Sequence, residues 1–376
     1  MSAQITTIGV VANTAFNLFN FRLGLIKALQ AAGYRVLAIA PNDEYVGFLQ
    51  EQNIEFVEVK KLARKGTNPF YDLLLINEIR GIYKKHKIDV ALQYTIKPNI
   101  YGTLAARLTG TKTICTVTGL GYTFLNKSAA SRIAHFLYRV AFTFADKVLF
   151  QNTDDMEMFV RGKLVNKQKT LLVPGSGIDI KEFSPQYCPP AGNETGTIRF
   201  LMIGRLLRDK GVYEYAAAAK MIQGDGIRAE FHLLGDIDQN NPAAIRQSEL
   251  DAWIQDGVLC YRGYAIDIRP YICEADCIVL PSYREGMPRV ILEGMAMGKP
   301  CVTTVAPGCK DAVVNGQTGF LCKVADADSL YEMLKKFVLL DKKTQNQFGK
   351  NARKRAEDLF STEKINLIYI KILRNL

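Results

Sequence analysis

Short β-rich runs alternate with longer helical stretches along nearly all of this chain, and that alternation is what most limits how it can fold. In the first half, strands are expected at 5–13, 36–41, 55–59, 89–94, 112–118, 147–152 and 169–175, with helices at 19–32, 69–86, 98–109 and 131–145. A strand, a helix and another strand bring the chain back in the same direction, so the expected sheet is parallel and covered on both faces. The pattern breaks at Gly175-Ser176-Gly177 and again over 184–196, where Cys188-Pro189-Pro190-Ala191-Gly192-Asn193 reads as a linker. It then restarts, with strands at 198–204, 229–235, 258–263, 277–281 and 300–304. Helices accompany them at 212–223, 242–255, 267–274, 288–297, 326–340 and 344–359. The expected fold class is therefore α/β, with two Rossmann-like doubly wound domains, 1–180 and 197–360, joined by a linker at 181–196. Ligands in such sheets bind beyond the carboxyl ends of the strands, so a cleft between the domains is expected. The tail, 361–376, reads as one more helix, with Ile365, Ile368, Tyr369 and Ile372 at helical spacing, packing back on the first domain.

A length of 376 residues suits two domains, and 48% hydrophobic with 23% charged residues suits folded ones. The net charge of +11 is lopsided: residues 1–180 hold 22 Lys and Arg against 13 Asp and Glu, the rest 26 against 24. A basic first half points to an anionic partner, such as an acidic lipid surface or a phosphorylated substrate. Eight cysteines are scattered without a Cys-x-x-Cys pair, and most lie in apolar runs, so buried reduced thiols in a cytoplasmic protein are expected. With three histidines in the chain, His-rich metal chemistry is not expected, and no metal site is predicted. No secretory signal and no transmembrane helix are expected, so any membrane contact would be peripheral.

Two loops carry the chemistry. Gly204-Arg205-Leu206-Leu207-Arg208-Asp209-Lys210-Gly211 follows a strand and opens a helix. Backbone N–H groups at a helix start face an anion readily, and Arg205 and Lys210 would add two positive charges above it. The order of a P-loop is missing. The second loop is Pro281-Ser282-Tyr283-Arg284-Glu285-Gly286-Met287-Pro288-Arg289, which runs into a helix containing Glu293. Pro288 suits the first helical turn, which again makes an anion site of residues 286–289. A carboxylate at Glu293 can accept hydrogen bonds from a vicinal diol such as ribose, and Glu285 on the loop can meet sugar hydroxyls. Each feature also has a plain reading, a charged surface turn or a surface ion pair of Glu285 with Arg284 or Arg289. That reading is poor for the whole constellation.

Together these residues resemble the family 4 retaining glycosyltransferases of GT-B architecture. The likeness rests on Gly-Arg-x4-Lys-Gly at 204–211 and Glu285-x7-Glu293 within Glu-Gly-Met-Pro. Val173-Pro174-Gly175-Ser176-Gly177-Ile178-Asp179, residues 293–300 and Gly316-Gln317-Thr318-Gly319-Phe320 add to it. The resemblance implies a nucleotide-sugar-binding second domain and an acceptor-side first domain. Arg205, Lys210 and Glu285 would be the catalytic set, with the diphosphate on the two cations. The donor would be bound by Gly204, Gly235, Tyr264, Ala265, Gly286, Met287, Pro288, Arg289 and Glu293. Asn13, Phe16, Asn17, Arg22, Lys97, Thr118 and Gly119 would line the acceptor side, and of these Arg22 and Lys97 are the candidates for meeting an acceptor phosphate, each with a plain surface charge as the alternative. Many relatives carry a histidine there; residues 116–121 of this chain, Thr-Val-Thr-Gly-Leu-Gly, have none.

Thr95-Ile96-Lys97-Pro98-Asn99, Val117–Tyr122 and Asn20-Phe21-Arg22 further resemble the subgroup that extends undecaprenyl-diphosphate-linked glycans, some of whose members transfer N-acetylgalactosamine. The implied substrates are a UDP-sugar and a membrane lipid-linked saccharide. No separate cofactor, no metal and no nucleic acid partner are implied, and the implied location is the inner face of the cytoplasmic membrane.

Asp236-Ile237-Asp238 imitates a metal-binding Asp-x-Asp but reads as a turn, and Asp326 reads as a helix cap. Lys60–Lys65, Lys84–Lys87 and the helix at 131–145 are candidates for acidic lipid. Competing functions are a nucleotide-sugar epimerase on the same plan, a transferase acting on lipopolysaccharide or a soluble acceptor, and a non-catalytic carbohydrate- or nucleic-acid-binding protein. A dinucleotide oxidoreductase is disfavoured because Asn13-Thr14-Ala15-Phe16-Asn17 lacks the Gly-x-Gly-x-x-Gly turn.

Overall fold

A computed structural model describes residues 6–62, 69–120, 129–189, 196–239 and 241–376. The chain forms two compact units, one of residues 1–177 with 362–376, the other of 178–361.

The first unit contains β1 (Thr7–Val11), β2 (Arg35–Ala40), β3 (Glu55–Glu58), β4 (Val90–Tyr94), β5 (Lys112–Val117), β6 (Lys147–Phe150) and β7 (Thr170–Leu172). Among the described residues they form one sheet in the order β3-β2-β1-β4-β5-β6-β7, with every pairing parallel. The register sets Val10 beside Ala38 and Leu92. Both β1 and β4 are buried along their whole length, as strands covered by helices on two faces must be. Side chains alternate across the sheet. Ile8, Val10, Val90, Leu92 and Tyr94 pack on one face with the helix Ala15–Ala31, while Val11, Ala91 and Cys115 pack on the other with Ile79, Tyr83 and Phe142.

The tail helix, Thr362–Arg374, belongs to this unit. It buries Ile365, Tyr369, Ile372 and Leu373 on the first of those faces, each worth about 1.5–3 kcal/mol of burial. The Tyr369 hydroxyl also lies 3.0 Å from Thr116 Oγ1.

The second unit contains β8 (Ile198–Ile203), β9 (Ala229–Leu234), β10 (Cys260–Tyr261), β11 (Cys277–Leu280), β12 (Cys301–Thr304) and β13 (Gly319–Cys322). Their order is β10-β9-β8-β11-β12-β13, again all parallel. Helices Val212–Gly224, Arg289–Ala296 and Ala327–Val338 contribute to one continuous core with these strands.

Several expectations need correction. The helix expected from 242 begins at Gln247. Residues 243–245 are taken up instead by the loop after β8, where the Arg208 N–H donates to the Ala243 carbonyl at 2.8 Å and the Ile245 N–H to the Leu206 carbonyl at 3.1 Å. The helix expected over 98–109 opens as a π-helical turn, Pro98–Gly102, before Thr103–Arg107 becomes α-helical. The edge strand β13 and the helices Val46–Glu51, Thr153–Arg161 and Cys309–Ala312 were not anticipated, being too short for a clear period. The cysteines are not all reduced and buried. Cys188 and Cys273, 85 residues apart in sequence, form a disulfide, and Cys260 is exposed. Sequence spacing carries no information about a pairing that folding creates.

Candidate active site

In the second unit the strand order reverses between β8 and β11. Connections leaving those two strands depart to opposite sides, which opens a crevice at their carboxyl ends. Both loops singled out in the sequence leave from there, 204–211 after β8 and 281–288 after β11. Their backbones are laced together. Gly211 holds φ +81° at the cap of the helix Val212–Gly224, and a Cβ on it would lie 2.3 Å from the Pro281 carbonyl oxygen. The Tyr283 N–H donates to the Asp209 carbonyl at 2.8 Å, and Ser282 Oγ lies 3.1 Å from the same carbonyl oxygen. At the end of β12, Thr304 Oγ1 donates to the Ser282 carbonyl at 2.6 Å. Gly235, after β9, packs against Gly204, where a side chain would lie 1.9 Å from the Gly204 carbonyl oxygen.

This lacing brings Lys210 and Glu285 into contact. Lys210 Nζ donates to Glu285 Oε1, and Ser282 Oγ donates to the same oxygen at 2.8 Å. Both side chains are largely buried. Glu285 is thus partnered by Lys210, which was not among the partners weighed from sequence. Arg205 is half-exposed on the same loop, 3.7 Å from Asp238. Glu293 is buried in the helix Arg289–Ala296 and accepts a hydrogen bond from Arg289 Nε at 2.7 Å. Burial holds its carboxyl above the usual range, against the pull of Arg289.

The other predicted positions spread around this centre. Gly286 and Pro288 are buried, and Pro288 is the N-cap of the helix carrying Glu293. Met287 and Ala265 lie partly buried against the core, whereas Tyr264 is exposed. The Gly235 N–H donates to the Gly263 carbonyl at 2.8 Å, which ties the segment before Tyr264 to the end of β9. The Asp-x-Asp at 236–238 is a loop whose Asp236 carbonyl accepts from the Leu206 N–H at 3.0 Å. Asp326 caps its helix, accepting from the Ser329 N–H at 2.8 Å.

Sequence reasoning passed over Ser282, which joins Asp209 to Glu285. Its place directly after a strand was the available signal. Cys309 lies nearby, its thiol pushed up to about 12 by burial and by the Glu285 charge, which disfavours the thiolate.

In the first unit the strand order reverses between β1 and β4. Asn13, Phe16 and Asn17 follow β1. The Phe16 N–H, at the start of the helix Ala15–Ala31, is taken by Asp43 Oδ2 at 3.1 Å. Lys97 follows β4 and lies 3.7 Å from Asp72. Arg22 is buried, with its guanidinium 3.9 Å from the centroid of the Tyr94 ring. Thr118 and Gly119 follow β5, Gly119 with φ +124°. Thr95, which also follows β4, holds φ +71°, an unusual conformation for a β-branched residue that costs on the order of 1–3 kcal/mol. Of the basic stretches, residues 63–65 lie outside the described residues, as do 121–122 of the subgroup motif.

Two family models match the chain: "Glycosyl transferase 4-like" over residues 9–152 and "Glycosyl transferases group 1" over 189–355. The chain belongs to the family 4 type of glycosyltransferases. Both site loops of this glycosyltransferase, 204–211 and 281–288, fall within the segment matched by the group 1 model. The chain is 29% identical to the N,N'-diacetylbacillosaminyl-diphospho-undecaprenol alpha-1,3-N-acetylgalactosaminyltransferase of Campylobacter jejuni, over 98% of this chain and 99% of that one. It is 27% identical to the UDP-Gal:alpha-D-GlcNAc-diphosphoundecaprenol alpha-1,3-galactosyltransferase of Escherichia coli, over 81% of each. Its fold is that of Anabaena Alr3699/HepE, solved in complex with UDP and glucose, at a TM-score of 0.78 and 18% identity, covering 99% of this chain and 100% of that one. The enzyme is thus a hexosyl- or N-acetylhexosaminyltransferase of GT-B fold.

Proposed function

We propose that this enzyme moves N-acetylgalactosamine from UDP to a saccharide carried on a membrane lipid diphosphate, with retention at the anomeric carbon. The observation that carries this reading is the Lys210–Glu285 contact between adjacent loops, at the strand-order reversal of the second unit. A lysine in that place is a point charge for the leaving diphosphate, with Arg205 as its second cation and the helix starts after Gly211 and Pro288 as fixed dipoles. A diphosphate there would draw Lys210 away from Glu285 and leave the carboxylate to accept from sugar hydroxyls. Glu293, oriented by Arg289, would take the ribose diol. Backbone N–H groups of Gly286 and Met287 would touch sugar or phosphate, and Gly204, Gly235, Tyr264 and Ala265 would flank the base. Among the described residues no side chain stands out as a nucleophile, so the departing phosphate would accept the proton of the attacking hydroxyl.

Similarity to two enzymes named for undecaprenol-linked substrates supports the acceptor class, and the UDP complex of the Anabaena protein supports the donor. Asn13, Phe16, Asn17, Thr118 and Gly119 of the first unit would face the acceptor. The enzyme would work at the inner face of the cytoplasmic membrane.

The test is a donor panel read by nucleoside diphosphate release, with lipid-linked acceptor present and absent. UDP-N-acetylgalactosamine should turn over fastest with acceptor. Glu285→Gln should fold normally and lose transfer by roughly 10²–10³-fold, the scale set by removing one electrostatic partner of a transition state. Turnover without acceptor that yields an epimerised donor would instead favour the epimerase.

A further inference from the structure

We infer that Arg22, stacked on Tyr94, is the anchor for the phosphate groups of the acceptor. This rests on the acceptor being diphosphate-linked, as proposed above. Arg22 is 3% exposed, yet among the described residues it has neither a carboxylate partner nor a hydrogen bond, and its Nε is wholly buried and unpartnered. A guanidinium cannot shed its charge at physiological pH, and a buried charge without a counterion is costly. Its guanidinium carbon lies 3.9 Å from the centroid of the Tyr94 ring, a stacking that orients the fork without neutralising it.

The place fits a ligand. Tyr94 ends β4, one of the two strands between which the order of the sheet reverses, and that is where parallel sheets bind ligands. The next residue is Thr95, held at φ +71° with its Oγ1 buried and unpartnered, and a π-helical turn begins at Pro98. Strained residues and π turns collect at functional sites. Lys97 is the other cation at this strand end, but it already has Asp72 at 3.7 Å. Among the described residues no carboxylate answers the charge of Arg22. A planar fork pairs with phosphate oxygens through two parallel bonds, so the chemistry it selects is a phosphate or diphosphate group.

Full-length enzyme and its Arg22→Met and Arg22→Lys variants, with folding followed by thermal denaturation, are compared on two acceptors. One is an N-acetylhexosamine on a short-chain isoprenoid diphosphate, the other the neutral alkyl glycoside of the same sugar. Acceptor-free release of UDP from the donor reads the other substrate separately. Arg22→Met should raise KM for the diphosphate acceptor by about 10- to 100-fold, and Arg22→Lys by less. KM for the neutral glycoside and acceptor-free UDP release should stay put in both. Equal losses on both acceptors would make Arg22 a structural prop and overturn the inference, as would an unchanged KM.

Should the variants unfold, inorganic pyrophosphate is tested against wild-type enzyme saturated with UDP. Competition with the diphosphate acceptor but not with the glycoside supports the site; no competition overturns it. A wild-type enzyme inert towards every UDP-sugar would sink the donor reading, and equilibrium binding of the diphosphate acceptor, compared between wild type and Arg22→Lys, would still judge Arg22.

Discussion

Glu293 shows how burial and charge compete at one position. Burial disfavours its carboxylate, Arg289 favours it, and burial wins, so the carboxyl is held above its ordinary range. A folded pKa above the unfolded one means that the native chain binds the proton more tightly. The associated stability is complete below the unfolded value and is lost as pH rises through the folded one. Glu293→Gln removes that loss. It should match wild type in acid and gain on it towards neutrality, in urea midpoints taken from about pH 4 to pH 8. A difference that does not vary with pH would place the carboxyl in its ordinary range. Glu293 could be marked from its spacing to Glu285, whereas its environment could not, because the groups that bury it come from several elements. The same holds for the Lys210–Glu285 contact, whose members stand 75 residues apart.

At the scale of elements, the two site loops act as one piece because their backbones touch. Gly211 is the hinge of that contact. Gly211→Ala would force a side chain into the left-handed backbone region and against the Pro281 carbonyl, 2.3 Å away. It should cost at least about 1–3 kcal/mol in urea denaturation and slow transfer as Lys210 shifts from Glu285. Stability and rate equal to wild type would show that the loops tolerate separation. Long periodic segments were readable in advance: the helix Pro69–His86 spans the residues its pattern marks. The helix from 242 was misread because its first residues bond to the loop after β8, a tertiary demand that local pattern does not record.

Across the whole molecule, charge and exposed apolar surface favour the first unit. It carries the excess of Lys and Arg, and it exposes Phe70, Tyr71 and Leu73 on the helix Pro69–His86 and Ile133 and Phe136 on the helix Ala129–Phe144. Among the described residues no helix is long and apolar enough to cross a membrane. Basic residues beside exposed apolar side chains suit peripheral binding to an anionic bilayer. Co-sedimentation with vesicles should therefore rise with anionic lipid and fall with salt, and Ile133→Asp with Phe136→Asp should weaken it. Binding indifferent to both lipid charge and salt would refute the proposal.

The order of short apolar runs and amphipathic stretches was enough to determine an α/β chain with two parallel sheets, because side-chain period and strand length are local properties of the residues. The kind of loop at each strand end, glycine-rich and cationic or acidic, was equally local and pointed to an anionic donor. Contacts between distant segments were decided only by the tertiary structure. They include the Cys188–Cys273 bond, the contact of Lys210 with Glu285, and the burial of Arg22 on Tyr94 with no counterion among the described residues. Each depends on which distant segments the packed fold brings together, and that is set by the order of the sheets and the helices on them rather than by neighbours in sequence.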